Sequence, residues 1–297
     1  MKIQRNNKEI IILRHIGGRF GNQLWLFSNV YAFCLERGYK CLNPSFYAYN
    51  KYFNLNDENG FTKFFEYLSN PKINRSHAAS FIIYTLYKYC SGLMPFFRRG
   101  TVIKSNSNEN INNLSEKIMS SRYQKVYLDC NELNNPEGVK KYRDQVVDKF
   151  KPKKEIVKKV DDFLNKHRGY YLVAVHIRQG DYKRFVNGRF YFDQSEVSSI
   201  LGFFIEKRYH GKKKVKFILF SDSVINLDNF SGLNVELGFG PDFMIEDMLT
   251  MSKCNLIIAA RSSFSTYAAY YGGKTLYVFD HHKKLVPFNI YENTIFT

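Results

Sequence analysis

Residues 171–182 read Tyr-Leu-Val-Ala-Val-His-Ile-Arg-Gln-Gly-Asp-Tyr, and this stretch indicates the fold. The first seven residues are mostly apolar and β-branched, a composition that predicts a β-strand. An arginine, a glycine and an aspartate follow where this strand should end. We therefore expect a buried strand with polar side chains at its carboxyl end.

The residues around this stretch repeat the pattern of a strand followed by a helix. Further strands are predicted at 215–220, near Val235, at 255–259 and at 275–279. Helices are predicted at 155–166, 195–208, 242–252 and 263–271. Strands that alternate with helices indicate βαβ units, so the fold class is α/β with a parallel sheet.

The N-terminal half begins in a similar way and then becomes irregular. A strand at 10–13 leads into a glycine-rich turn at 17–22, and a helix with apolar residues at helical spacing should end at Gly38. Residues 43–150 are expected to be mostly helical and irregular. We place a domain boundary near 150–154, which gives an N-terminal domain, 1–150, and a C-terminal domain, 151–297.

The charge of the chain predicts a polyanionic partner. The 297 residues include 44 Lys and Arg against 27 Asp and Glu, a formal net charge of +17. The 27 Phe and 22 Tyr need a packed interior and exclude a disordered basic chain. Three kinds of polyanionic partner remain possible for a folded chain of this charge: nucleic acid, an acidic membrane face and a phosphorylated small molecule. The basic runs at 151–159 and 207–216 lack the interleaved aromatic residues of a nucleic-acid surface, which leaves nucleic-acid binding a remote alternative.

The scattered cysteines and the lack of long apolar runs predict a cytoplasmic protein. The five cysteines are scattered without a Cys-x-x-Cys spacing, as in a chain with reduced thiols and no zinc site. The N-terminus lacks the apolar core of a signal peptide, and no apolar run reaches the length of a bilayer. Residues 88–99 mix apolar side chains with cations, which fits either peripheral contact with an anionic membrane or a partly buried helix end.

Polar residues follow several of the predicted strands. In α/β sheets, ligands bind at the carboxyl ends of the strands, which here carry His176 and Arg178, then Asp222, then 261–265. An arginine fork suits a diphosphate, and hydroxyl groups at a helix start suit an anion. Each residue also has a purely structural explanation, such as an Arg178–Asp181 ion pair or a helix cap. Their occurrence at three strand ends favours a phosphate-binding site. No cluster with metal-ligand spacing is present, so no metal is expected.

Four motifs occur in a specific order along the chain. They are Gly-Gly-Arg-Phe-Gly-Asn-Gln at 17–23, Val-His-Ile-Arg-Gln-Gly-Asp-Tyr at 175–182, Phe-Ser-Asp at 220–222, and the segment 247–265, which ends in Ala-Ala-Arg-Ser-Ser-Phe-Ser. Together they resemble the motifs of glycosyltransferase family 11, the α-1,2-fucosyltransferases. The resemblance implies a GT-B architecture, with two Rossmann-like domains facing across a cleft. It also implies that the C-terminal domain binds the donor GDP-fucose and that no metal is required.

The resemblance assigns a role to each motif residue. Arg178 would bind the β-phosphate, and His176 would support its loop. Asp181 is our own candidate for the base; the alternative is that no carboxylate is needed and that assistance to the leaving group suffices, as in some related fucosyltransferases. The predicted donor-binding residues are Arg19, Asn22, Asp222, Asp247, Ser262, Ser263 and Phe264. Asp222 and Asp247 would contact ribose and guanine, while 262–264 would contact the pyrophosphate. The family usually has His-x-Arg-Arg-x-Asp, and Gln179 replaces the second arginine here, so a different nucleotide sugar is an alternative donor.

The resemblance predicts an inverting, metal-independent fucosyltransferase. Its acceptor would be a galactose-type hydroxyl of a bacterial surface glycan, such as an O-antigen, lipopolysaccharide or capsule. A lipid-linked acceptor would place the enzyme on the inner face of the cytoplasmic membrane. Since few cations are needed at the donor site, attraction to this acidic surface would account for much of the remaining positive charge.

Overall fold

The structure is a computed structural model that describes residues 8–14, 20–55, 60–69, 77–106, 109–130 and 132–291. The chain divides into two compact units, Met1–Lys151 and Pro152–Thr297. All five cysteines are free thiols. Among the described helices, none combines the length and the apolar character needed to cross a membrane.

The N-terminal unit is built around a parallel sheet. Its strands are β1 (Glu9–Arg14), β2 (Lys40–Leu42), β3 (Thr101–Lys104), β4 (Glu109–Asn110), β5 (Lys125–Asp129) and β6 (Leu133–Asn134). Its helices are α1 (Phe20–Arg37), α2 (Tyr47–Asn50), α3 (Gly60–Leu68), α4 (His77–Phe97), α5 (Ser115–Ser120), α6 (Pro136–Lys141) and α7 (Arg143–Lys149). The main sheet has the order β2-β1-β5-β3, and β4 pairs with β6.

Local sequence explains the start of this unit. The β1 side chains of Ile10, Ile11 and Ile12 are buried, as expected for a central strand. As predicted, α1 stops before Gly38, whose φ of +66° lies in the left-handed region that glycine adopts without strain. The predicted glycine turn before α1 is described only from Phe20 onward.

An aromatic cluster explains why this half of the chain is so rich in phenylalanine. The ring of Phe150 packs edge-on against those of Phe27, Phe46 and Phe53, with centroid distances of 5.0, 6.1 and 5.8 Å. Such edge-to-face pairs add to the free energy gained from burial. The last residues of the unit are thereby packed against its first helix.

The C-terminal unit is a doubly wound α/β domain. Its strands are β7 (Tyr171–Ile177), β8 (Val215–Ser221), β9 (Val235–Leu237), β10 (Leu256–Ala259), β11 (Leu276–Asp280) and β12 (Lys284–Pro287). Its helices are α8 (Lys154–Asn165), α9 (Gln194–Lys207), α10 (Met244–Lys253) and α11 (Ser263–Gly272). The predicted strands and helices are therefore all present, each within about two residues of its predicted ends.

The strand order of this unit locates its ligand-binding edge. The sheet runs β12-β11-β10-β7-β8-β9, and all pairs are parallel except β11 with β12. The chain moves from β7 to β8 and β9 on one side and then crosses to β10 and β11 on the other. The strand order therefore reverses at β7. In open α/β sheets, ligands bind at the carboxyl ends of the strands beside such a reversal.

Candidate active site

The site is formed where β7, β8 and β10 end side by side. His176 of β7 lies opposite Phe220 of β8 and Ala259 of β10. The loops that follow these strands therefore begin at the same level of the sheet. The sequence predicted polar residues at these three strand ends, and the register of the strands brings the loops together.

Arg178, the first residue after β7, is held by two carboxylates. Its Nε and Nη2 atoms donate to Oδ1 and Oδ2 of Asp181 at 3.0 and 3.1 Å. Nε also lies 3.2 Å from Oδ2 of Asp222. Among the described residues these contacts use Nε and Nη2, so the N–H groups of Nη1 remain for a ligand. The Arg178–Asp181 pair of the structural alternative is thus present, within an arrangement that also fixes the guanidinium. The predicted contact of Arg178 with a phosphate stays a prediction.

Tyr182 adds to this arrangement and was not among the predicted site residues. The guanidinium carbon of Arg178 lies 5.2 Å from the centre of the Tyr182 ring, within cation–π distance. The Tyr182 hydroxyl donates a hydrogen bond to the carbonyl of Arg261. This tyrosine therefore links the loop after β7 to the loop after β10.

Asp222 fixes the loop that carries Arg178. Its Oδ1 atom accepts hydrogen bonds from the backbone N–H groups of Gln179 at 2.9 Å and Gly180 at 3.3 Å. Burial alone would raise the pKa of Asp222, but these hydrogen bonds and the charge of Arg178 lower it below its usual value. A Cβ atom on Gly180 would lie 2.9 Å from Oδ2 of Asp222, so this close approach requires glycine.

His176 is a buried, neutral imidazole directly before this loop. Burial, with a further contribution from the charge of Arg178, lowers its pKa to about 4. Its ring packs against Phe264, with a centroid distance of 5.3 Å. Its Nδ1 atom is buried without a hydrogen-bond partner among the described residues. Since buried polar atoms are normally paired, Nδ1 is a candidate contact for a ligand.

The start of α11 supplies the third part of the site. Ser262 caps the helix, and its Oγ accepts a hydrogen bond from the N–H of Phe264 at 3.2 Å. Ser263 opens the helix, whose first-turn N–H groups and dipole favour an anion. The side chain of Ser265 is used internally, because its Oγ donates to the carbonyl of Ala260. Ser262, Ser263 and Phe264 therefore lie at the start of α11, and their predicted contact with a pyrophosphate stays a prediction.

Asp247 lies on α10 and supports the loop after β9. It accepts a hydrogen bond from the N–H of Phe239 at 2.7 Å and is almost fully buried. Burial raises its pKa to about 7, although this hydrogen bond and another from Gly240 oppose the shift. A Cβ atom on Gly238 would lie 2.9 Å from Oδ1 of Asp247, so the loop approaches the carboxyl closely. No described contact joins Asp247 to Arg178.

Lys159 is a charged neighbour of this loop that the sequence did not single out. Its Nζ lies 3.7 Å from the centre of the Phe243 ring and 4.9 Å from that of Phe239. It also forms an ion pair with Glu246 at 3.0 Å. The position of Lys159 on a regular basic helix gave no signal of this contact.

Gln179, the departure from the family motif, is bound within the loop structure. Its Nε2 donates to the carbonyl of Phe192 at 3.3 Å, and its Oε1 accepts from Nε2 of Gln194 at 3.1 Å. Gln194 in turn accepts a hydrogen bond from the N–H of Asn226 at 2.8 Å. Gln179 is 9% exposed, and through Gln194 it connects the loop after β7 to the loop after β8.

The predicted residues of the N-terminal unit are only partly described. Asn22 lies in the first turn of α1 and is half-buried, while Arg19 lies outside the described residues. Their predicted contact with the donor stays a prediction. Within the described residues, no group of three or more His, Cys, Asp or Glu side chains is arranged to hold a metal ion.

Two α/β units, the second with polar residues at its strand ends, are features of glycosyltransferases with a GT-B fold. The model of the family "Glycosyl transferase family 11" matches residues 92–296, well over half of the sequence. The chain therefore belongs to glycosyl transferase family 11 and is a glycosyltransferase. No curated protein sequence matches the chain.

Solved structures of three fucosyltransferases resemble the protein in fold. NodZ, an α-1,6-fucosyltransferase from Bradyrhizobium, was soaked with GDP-fucose; it is 16% identical with a TM-score of 0.56, over 95% of this chain and 99% of NodZ. FUT1 from Arabidopsis thaliana, in complex with GDP, is 10% identical with a TM-score of 0.58, over 95% of this chain and 73% of its own. POFUT1, in complex with GDP, is 14% identical with a TM-score of 0.54, over 91% of this chain and 96% of its own. These likenesses confirm the predicted GT-B fold.

Proposed function

We propose that the protein is an inverting, metal-independent α-1,2-fucosyltransferase that transfers fucose from GDP-fucose to a galactose-type hydroxyl. The observation that carries the proposal is the position of Arg178, which two carboxylates hold at the strand reversal between His176 and the start of α11. The ordered family motifs support the fucosyl donor, as do the GDP-fucose and GDP complexes of the similar structures.

The proposed reaction needs a stabilised leaving group. The bond between the fucose anomeric carbon and the β-phosphate oxygen breaks through an oxocarbenium-like transition state, and negative charge grows on GDP. Arg178 and the N–H groups at the start of α11 would stabilise this charge. The neutral Nδ1 of His176 is a further candidate contact. Removal of one such hydrogen-bond donor typically raises the activation free energy by about 3 kcal/mol, which slows the reaction a hundredfold or more.

The acceptor hydroxyl attacks the anomeric carbon from the face opposite to GDP, which inverts the configuration. Its oxygen forms the new glycosidic bond, and its proton must move to a base. Asp181 is our candidate for this base, because its carboxylate side chain is 51% exposed and therefore accessible to an acceptor.

The two units would bind different substrates. The C-terminal unit would bind the donor, with Asp222 and Asp247 as candidates for ribose and guanine, and the N-terminal unit would bind the acceptor. Arg19 and Asn22 would reach the donor from the N-terminal side. The acceptor we propose is a lipid-linked intermediate of a bacterial surface glycan, which places the enzyme in the cytoplasm at the inner membrane face.

A donor panel tests this function. We would measure nucleotide release from GDP-fucose, other GDP-sugars and UDP-sugars, with galactose-terminated acceptors and EDTA present, and determine the product linkage by NMR. We expect turnover with GDP-fucose alone and a product fucosylated at the 2-hydroxyl. Turnover only with another nucleotide sugar would overturn the donor assignment and favour the alternative raised by Gln179. Loss of activity in EDTA that Mg²⁺ or Mn²⁺ restores would overturn metal independence.

A further inference from the structure

Helix α4 has apolar side chains on two sides. The inner side, with Tyr87, Ser91 and Met94, is buried against the N-terminal unit. The Tyr87 hydroxyl donates a hydrogen bond to the carbonyl of Leu13 at 2.7 Å, and the Tyr87 ring lies 5.1 Å from that of Phe65 on α3. These contacts fix the rotation of α4 about its axis, so its opposite side faces outward.

The outward side carries large apolar residues at helical spacing. Ile82, Tyr89, Leu93 and Phe96 stand at positions i, i+7, i+11 and i+14, which fall on one side of a helix. Their exposed fractions are 64%, 75%, 56% and 80%. With the adjoining Phe81 and Phe97, also largely exposed, they form what we call the outer face of α4. Contiguous exposed apolar surface of this kind marks an interaction site.

The charges around the outer face have one sign. The sequence from 77 to 104 contains Lys88, Arg98, Arg99 and Lys104 and no Asp or Glu. Lys88 precedes Tyr89 and is exposed, and the exposed Arg98 and Arg99 follow the last turn of the helix. A segment that combines an exposed apolar face with cations and no carboxylate of its own is complementary to a surface that is apolar beneath a layer of negative charge.

We propose that the outer face of α4 binds the surface of an anionic phospholipid membrane. The helix lies in the plane of the membrane, with Tyr89, Leu93 and Phe96 at the boundary of head groups and acyl chains. Lys88 and Arg99 contact the lipid phosphates. A second copy of this chain fits the face less well, because it would bring the same cations together with no acidic residue in this segment to pair with them. The proposal does not depend on the identity of the sugar donor.

Vesicle co-sedimentation of the full-length protein tests the proposal. We would compare vesicles of phosphatidylcholine with vesicles that also contain phosphatidylglycerol, and use the double variant Leu93→Gln with Phe96→Gln. We expect binding to the anionic vesicles and a drop in the partition coefficient of at least about tenfold for the variant. The matched control is Ile205→Gln with Val224→Gln, two exposed apolar residues of the C-terminal unit, and it should bind as the wild type does.

A second variant tests whether the positive charges beside the outer face are required for binding. Lys88→Gln with Arg99→Gln leaves the apolar residues in place and should weaken binding to anionic vesicles on the order of tenfold, as should high salt. Equal binding to neutral and anionic vesicles would overturn the proposal. A lipid-free dimer that the Leu93→Gln and Phe96→Gln variant abolishes would assign the face to a second copy instead.

A fluorescence measurement reports insertion directly. The chain contains a single tryptophan, so Phe96→Trp adds one reporter at the outer face. Its emission should shift to shorter wavelength when anionic vesicles are added, and brominated lipids should quench it. Ile205→Trp is the control and should show neither effect. A Phe96→Trp emission unchanged by vesicles would contradict the proposed contact.

Discussion

Nε of Arg178 lies 3.2 Å from Oδ2 of Asp222, so a carboxylate at the end of β8 orients the arginine at the end of β7. The same carboxylate binds the backbone N–H groups of Gln179 and Gly180 through its other oxygen. Asp222 thus fixes both the loop and the side chain that we assign to the leaving group.

Replacement of Asp222 should reduce both stability and activity. In Asp222→Ala, the N–H groups of Gln179 and Gly180 lose their acceptor, at a cost of about 1–3 kcal/mol in the free energy of unfolding. Release of Arg178 should lower kcat as well. Asp222→Asn keeps an acceptor oxygen and should lose less stability. Urea denaturation and donor turnover would measure both effects, and Asp228→Ala, at an exposed position, is the control. An Asp222→Ala variant as stable and active as wild type would refute this role.

Gly238 should not tolerate a side chain. A Cβ atom there would lie 2.5 Å from the ring of Phe220, which is 2% exposed and closely packed. We expect Gly238→Ala to lower the free energy of unfolding by about 1–3 kcal/mol. Gly202→Ala is the matched control, because Gly202 lies inside α9 and a Cβ there has no neighbour within 4 Å. That control should be neutral or gain about 0.5–1 kcal/mol. If both substitutions changed the free energy of unfolding equally, the close packing of Gly238 against Phe220 would not be the cause of the loss.

The buried carboxyl of Asp247 should make stability depend on pH. Its pKa rises to about 7 in the folded protein, so between about pH 4 and pH 7 the folded state keeps a proton that the unfolded state has released. The stability that this group contributes is complete below about pH 4 and is lost as pH rises to about 7, by about 1.4 kcal/mol per pH unit.

Asp247→Asn removes this titration and should become more stable relative to wild type as pH rises through that range. His176, whose pKa is lowered to about 4, has the opposite effect between about pH 4 and pH 6.5. It is present in both proteins and cancels in their difference. Urea denaturation at several pH values would measure this difference, with Asp228→Asn as the control. A difference that stays constant with pH would contradict a raised pKa for Asp247.

The C-terminal unit could be predicted from sequence because its strands are short, apolar runs between regular helices. The place where the strand order reverses could not be predicted, because pairing of β7 with both β8 and β10 joins residues far apart in sequence. In the N-terminal half, β3 and β5 were missed for a related reason. Each has at most five residues and pairs with a strand distant in sequence, so neither shows a local pattern.

The residues of the site could be predicted from motifs, but their partners could not. The sequence placed His176, Arg178 and Asp222 at strand ends, yet the Arg178–Asp222 contact depends on the register between β7 and β8. The hydrogen bond between Gln179 and Gln194 depends on how α9 begins beside that loop. Burial of Asp247 likewise follows from packing in three dimensions, to which a carboxylate in an amphipathic helix gives no local clue.

The most direct test of the account is the turnover of Arg178→Ala with GDP-fucose and a galactose-terminated acceptor. We would measure kcat from GDP release at saturating donor, and confirm by thermal unfolding that the variant is folded. Arg168→Ala is the matched control, since Arg168 is an exposed arginine that precedes β7 at the opposite edge of the sheet. We predict a loss of about 100-fold to 1,000-fold for Arg178→Ala and wild-type turnover for Arg168→Ala. Turnover of Arg178→Ala close to that of wild type would contradict the assignment of Arg178 to the leaving group.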